Sequence, residues 1–157
     1  MSDDGKIYAV AGYELRRATP ADMAALAAMY ESFEPKGAAM GLPPRANPER
    51  WLADVSIFPN FVISTEGRIV GHGLVCPDGD TAEVAVFVHQ SQRSRGLGKW
   101  LLSTLVDEAR RLGLRRVWGT TDLENVPMLR LAHSLGFVTG ADPEVFTLEL
   151  SAVVHTA

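Results

Sequence analysis

Residues 61–65, 68–76 and 82–88 are three apolar runs rich in β-branched side chains, with only tight turns between them. Glu66-Gly67 fills the first gap, and Pro77-Asp78-Gly79-Asp80 fills most of the second. Both are turn-forming sequences, and neither is long enough to hold a crossover. Strands joined this way must pair antiparallel, because a parallel neighbour needs a connection of about a dozen residues. The period then changes. Leu97, Leu101, Leu102, Leu105, Val106, Ala109 and Leu112 mark one face of a long helix, which Gly113 closes.

The flanks complete the order of elements. Residues 13–17 read as a first strand. Thr19-Pro20-Ala21-Asp22 then carries an N-cap, a proline at the first helical position and an acid three residues on. Met23, Leu26, Ala27 and Tyr30 continue that helix to about Phe33. Proline and glycine make residues 34–46 a loop, and Asn47-Pro48 restarts a short helix carrying Trp51 and Leu52. After the long helix come a strand at 116–121, a helix at 125–135 ended by Gly136, and a last strand at 145–150. An antiparallel meander followed by crossover units is an α+β sandwich: a mixed, mostly antiparallel sheet with helices on both faces. The 157 residues suit one domain, 1–157, with its core at about 13–150 and loose tails at 1–10 and 152–157.

Composition removes several function classes. Net charge is −4, whereas a nucleic-acid binder carries a basic surplus. Met1 to Lys6 has two aspartates and no basic stretch ahead of an apolar one, and no apolar run approaches membrane-span length. One cysteine, Cys76, allows neither an internal disulfide nor a multi-cysteine zinc site, and no His, Asp or Glu spacing suggests a metal. The expectation is a cytoplasmic protein without metal, nucleic-acid partner or membrane contact. A homodimer is left open.

The chemistry is concentrated between the third run and the long helix. Val86, Phe87, Val88 and His89 lead into Arg93, Ser94, Arg95, Gly96, Leu97, Gly98 and Lys99. The first turn of a helix offers unpaired N–H groups and the positive end of its dipole. Gly96 and Gly98 remove side chains there, and Arg93, Arg95 and Lys99 add charge, so the site suits a pyrophosphate. Two nucleotide motifs fail. A Walker A loop needs glycine at Arg93 and Ser or Thr at Trp100, and a dinucleotide fingerprint needs Gly or Ala at Leu101.

Arg93-Ser94-Arg95-Gly96-Leu97-Gly98 resembles the acyl-CoA signature of GNAT acetyltransferases, R/Q-x-x-G-x-G/A. The stretch from Asn125 through Leu135, Gly136 and Phe137 is similar to the family's second motif. The resemblance covers about residues 13–150. It implies a GNAT fold whose fourth and fifth strands splay apart around pantetheine. By that resemblance, the backbone of Val86, Phe87 and Val88 meets pantetheine, the amides of 94–99 meet the pyrophosphate, and Asn125 lies near the pantetheine arm. It also implies an N-acetyltransferase that carries the acetyl group of acetyl-CoA directly to a primary amine: a small molecule, a peptide or a protein lysine. An acyl-CoA-binding regulatory module without turnover is the alternative.

Many family members hold a proton-donating tyrosine where this chain has Ala132. The neighbouring His133 lies about 100° around the helix from it. Glu83 is the candidate general base, since a charge inside an apolar strand needs a reason and an amine must lose a proton to attack. Ala82-Glu83-Val84-Ala85 resembles the stretch in bacterial Pat-type protein-lysine acetyltransferases, where the strand glutamate serves as base. An exposed edge or an arginine salt bridge would equally account for it. His72 is a second candidate, if it faces the acceptor pocket. Family analogy places the acceptor between residues 34–45, with Lys36 and Met40, and residues 139–144. Glu31 and Glu34 stand near by to attract a cation.

Overall fold

The computed structural model describes residues 8–150 apart from Ala38 and Met40. Met40, which the sequence places in the acceptor loop, therefore lies outside the described residues, as do the outermost parts of both tails. Strands β1 (Glu14–Arg17), β2 (Asn60–Thr65), β3 (Arg68–Asp78), β4 (Thr81–Val88), β5 (Arg116–Thr120), β6 (Val138–Thr139) and β7 (Val145–Glu149) form one sheet. Its order is β1-β2-β3-β4-β5-β7-β6. Every pairing is antiparallel except β4 with β5, where the connection runs through a helix. The Glu66-Gly67 turn has both residues at positive φ, 51° and 77°, as a two-residue hairpin requires.

Helices α1 (Met23–Glu31) and α2 (Pro48–Val55) cover one face; α3 (Leu97–Arg111) and α4 (Val126–Ser134) cover the other. The strands serve both by alternation. Phe61 and Ile63 of β2 join the α3 side, while Val62 between them joins the α1 side. Gly71 and Gly73 leave a bare stripe on β3. A Cβ at either would stand 3.2 or 3.1 Å from Leu101, so their absence lets α3 lie close.

Local chemistry explains the helix ends. The Asp22 carboxylate accepts the Thr19 N–H at 2.7 Å and two Arg16 hydrogen bonds at 2.8 Å. Those partners, Arg16 first, hold its pKa down to about 2. Lys36 Nζ donates to the C=O groups of Glu31 and Phe33 at 2.9 and 3.2 Å, closing the C-terminus of α1. The two-residue β6 at the sheet edge carried no periodic signal in the sequence. Val10 packs on the core ahead of residue 13, and Lys99 Nζ lies 5.0 Å over the Tyr8 ring.

Candidate active site

β4 and β5 pair only at Thr81↔Arg116, Ala82↔Val117 and Glu83↔Trp118, although β4 runs on to Val88. Just past the last paired residues, Phe146 of β7 lies opposite Gly119 of β5. Its ring lies so close to Gly119 that a Cβ there would sit 2.6 Å from Cζ. The His89 N–H reaches Val70 C=O at 2.8 Å, which fixes the alternation of β4. Peptide groups of Ala85 and Phe87 therefore turn to β3, and those of Val84, Val86 and Val88 turn to the open side. Phe87 thus departs from the sequence reading: its peptide is committed to His72 across the β3 ladder, and its side chain is buried on the α1 face. Val86 keeps both groups toward the gap. Val88 C=O already accepts Arg93 Nε at 2.9 Å.

A cleft opens at this fork. Glu83, Val84, Val86, Thr121, Asn125 and Phe146 are among the residues lining it, with Ala39 and Leu42 bordering it from the acceptor loop. Glu83 is half-buried, and burial raises its carboxyl pKa above the ordinary value. Among the described residues it has no ion pair or hydrogen bond, so it is neither an exposed edge residue nor part of an arginine salt bridge. Across the β3 ladder stands Cys76, whose thiol is pushed up to about 11 by burial and then by the Glu83 charge. That thiol stays protonated.

The loop ahead of α3 has Ser94 and Gly96 in the left-handed region, at φ 65° and 89°. The first helical bond runs from Trp100 N–H to Gly96 C=O at 3.2 Å, so the amides of Leu97, Gly98 and Lys99 have no partner within the helix. Gly98 has a packing role besides the one its spacing suggested. A Cβ there would meet Leu131 Cδ1 at 2.8 Å, so this glycine lets α3 and α4 approach. The cations also diverge. Arg93 lies 5.2 Å over the Phe33 ring and Lys99 over Tyr8, while Arg95 is exposed. Asn125 caps α4, its Oδ1 accepting Met128 N–H at 3.3 Å, and lines the cleft.

Residues 23–137 match the model of the acetyltransferase (GNAT) family. The chain belongs to the GNAT acetyltransferase family. It is 32% identical to the L-amino acid N-acyltransferase MnaT of Escherichia coli (strain K12), over 85% of this chain and 84% of that one. It is 46% identical over 66 residues to an L-methionine sulfoximine/L-methionine sulfone acetyltransferase of Salmonella typhimurium, a match spanning 41% of this chain and 39% of that protein. The Salmonella typhimurium acetyltransferase yncA, solved with its cofactor acetyl-CoA, superposes with a TM-score of 0.72 at 28% identity, over 88% of this chain and 94% of that one. This GNAT protein is an N-acetyltransferase with acetyl-CoA as co-substrate. The fork fits that group: it presents free strand edge at Val86, and beside it a buried Thr121 hydroxyl with no partner among the described residues.

The remaining candidates of this GNAT site fall into place. His72 is fully buried and is not among the residues lining the cleft. Tyr30 Oη donates to its Nδ1 at 2.6 Å, and its Nε2 donates to Asn60 Oδ1 at 2.6 Å, because Asn60 Nδ2 is spent on Val55 and Phe58 carbonyls. Burial lowers its pKa to about 3. Ala132 is buried in the core and His133 is exposed. The acceptor loop folds on itself: Gly37 N–H bonds Pro43 C=O at 2.8 Å, and Ala39 N–H bonds Leu42 C=O at 2.9 Å. Sequence reasoning missed Gln90, which clamps that loop. Its side chain accepts Glu34 N–H at 2.9 Å and donates to Ser32 C=O at 2.6 Å. Nothing in a polar turn sequence marks one glutamine as the clamp. No helix among the described residues is long and apolar enough to cross a membrane.

Proposed function

We propose that this enzyme acetylates the primary amine of a small amino-acid-like acceptor, with Glu83 as general base. The observation that carries the reading is a half-buried carboxylate, free of partners among the described residues, on the wall of the fork between β4 and β5. Acetyl-CoA, when bound, supplies a thioester whose acetyl group passes to the amine nitrogen and whose sulfur leaves as the CoA thiolate. Glu83 takes the proton the amine must lose, directly or through one water. The Val86 peptide and the Asn125 cap face the pantetheine arm, and the amides of Leu97, Gly98 and Lys99 with Arg95 hold the pyrophosphate. Ala132 offers no acid; a thiol of reference pKa about 8.5 regains its proton from water near neutral pH.

The acceptor class rests on two supports. MnaT is named for L-amino acids, and the Salmonella relative is named for two methionine derivatives. Ala39, Leu42 and Met128 give the cleft apolar walls against which a short side chain can pack. Thiol release should therefore be measured with acetyl-CoA and a panel of L-amino acids, methionine sulfoximine, a lysine peptide and a diamine. Saturable turnover with amino acids is expected. A lysine peptide or diamine preferred tenfold or more in kcat/KM would move the acceptor class. Acetyl-CoA binding without thiol release from any amine would favour the non-catalytic module. Acetyl-CoA at about 100 times its Kd should also stabilise the fold by roughly 2.7 kcal/mol, read as a rise in Tm.

A further inference from the structure

One residue of the cleft wall carries a buried polar atom for which the described residues provide no partner. Thr121 follows β5 directly and is 1% exposed. Its backbone is settled, since its N–H donates to Glu144 C=O at 3.0 Å. Its Oγ1 is buried and has no hydrogen-bond partner among the described residues. Buried hydroxyls are nearly always paired, because leaving one unmet costs its full desolvation. Thr121 lines the same fork as Glu83, Val86 and Asn125. The Asn125 Oδ1 close by is already taken by Met128 N–H.

We infer that Thr121 Oγ1 is a binding residue that donates a hydrogen bond to a carbonyl oxygen of the acyl-pantetheine chain. The assignment rests on the acetyl-CoA reading of the fork and deepens it. A hydroxyl has one donor and two acceptor positions, and a ligand threaded along the Val86 edge brings carbonyl oxygens within the same enclosure. Val84, Met128 and Phe146 make the rest of that wall apolar, so water competes poorly for the bond once the chain is in place. Two carbonyl sources share this chemistry, a pantetheine amide and the acetyl thioester.

Thr121→Val separates this role from a structural one, because the two predict opposite signs. Valine matches threonine in shape and removes the unmet hydroxyl, so the free variant should melt at the wild-type temperature or above it. Its calorimetric Kd for acetyl-CoA should nevertheless weaken about tenfold, the size of one lost hydrogen bond. Thr121→Ser keeps the hydroxyl and should keep the affinity. An equal loss for CoA and acetyl-CoA assigns the bond to a pantetheine amide; a loss for acetyl-CoA alone assigns it to the thioester. Wild-type affinity in Thr121→Val overturns the inference. So does a free variant that melts several degrees lower or fails to fold, since the hydroxyl then has a structural partner. Wild-type protein that binds no acetyl-CoA would instead bring down the reading of the fork itself.

Discussion

A carboxylate in mid-strand, half out of water and without a cation beside it, holds its proton to higher pH than one on the surface. If Glu83 is the base, as proposed, the shift favours that role, and the rate should show an acid limb displaced upward from the ordinary carboxylate value. Glu83→Gln keeps the shape and removes the proton acceptor. The rate with an amino-acid acceptor should fall about 10²–10⁴-fold, with the Kd of acetyl-CoA nearly unchanged. The loss should shrink as pH rises, because more of the acceptor is already neutral, and the limb set by the carboxylate should give way to one set by the acceptor amine alone. A variant within about threefold of wild type at pH 7 would end this role. The residue was legible because a charge flanked by Ala82, Val84 and Ala85 breaks the strand's apolar pattern. Thr121 was not: a threonine at a strand end is ordinary, and only burial without a partner distinguishes it.

Elements carry the next level of control, where the end of α1 meets the turn after β4. Gln90 binds Ser32 and Glu34 through both ends of its amide, His89 Nε2 lies 2.9 Å from Ser32 Oγ, and Arg93 covers Phe33. These contacts tie the root of the acceptor loop to the turn that leads into the cofactor loop. We propose that Gln90 is a positioning residue for the acceptor. Gln90→Ala should raise the acceptor KM about tenfold, as two lost neutral hydrogen bonds allow, while the acetyl-CoA Kd and kcat at saturating acceptor stay near wild type. An unchanged KM with a lowered Tm would make the clamp purely structural. Helices and the meander were readable because period and turn chemistry are local. What a glycine or cation touches is not local. Gly98 answers to Leu131 on another helix, and Arg93 and Lys99 to aromatic rings distant in sequence.

At the scale of the whole molecule, His72 joins both halves of the α1 face. It bonds Tyr30 of α1 and Asn60 of β2, and its ring packs among Tyr30, Trp51 and Phe87 at centroid distances of 5.6, 6.0 and 6.5 Å. Its pKa falls from 6.5 to about 3 through burial, so it stays neutral in the fold while the unfolded chain takes up a proton below 6.5. The unfolded state then binds more protons, and stability drops as pH falls through that window, by about 1.4 kcal/mol per pH unit. Asp22 and Glu108 also lose their contribution on acidification, but only below their ordinary values of 3.8 and 4.5, as pH approaches about 2. His89, lowered by burial and then by Arg93, acts in the same direction as His72 from a more exposed position. Between pH 7 and 5 the His72 effect comes to about 2 kcal/mol, or about 4–8 °C in Tm for a domain of this size. His72→Gln should lower Tm at every pH yet remove most of that slope. A wild-type Tm flat from pH 7 to 5, or an equal slope in His72→Gln, would show that the buried imidazole does not set the acid response.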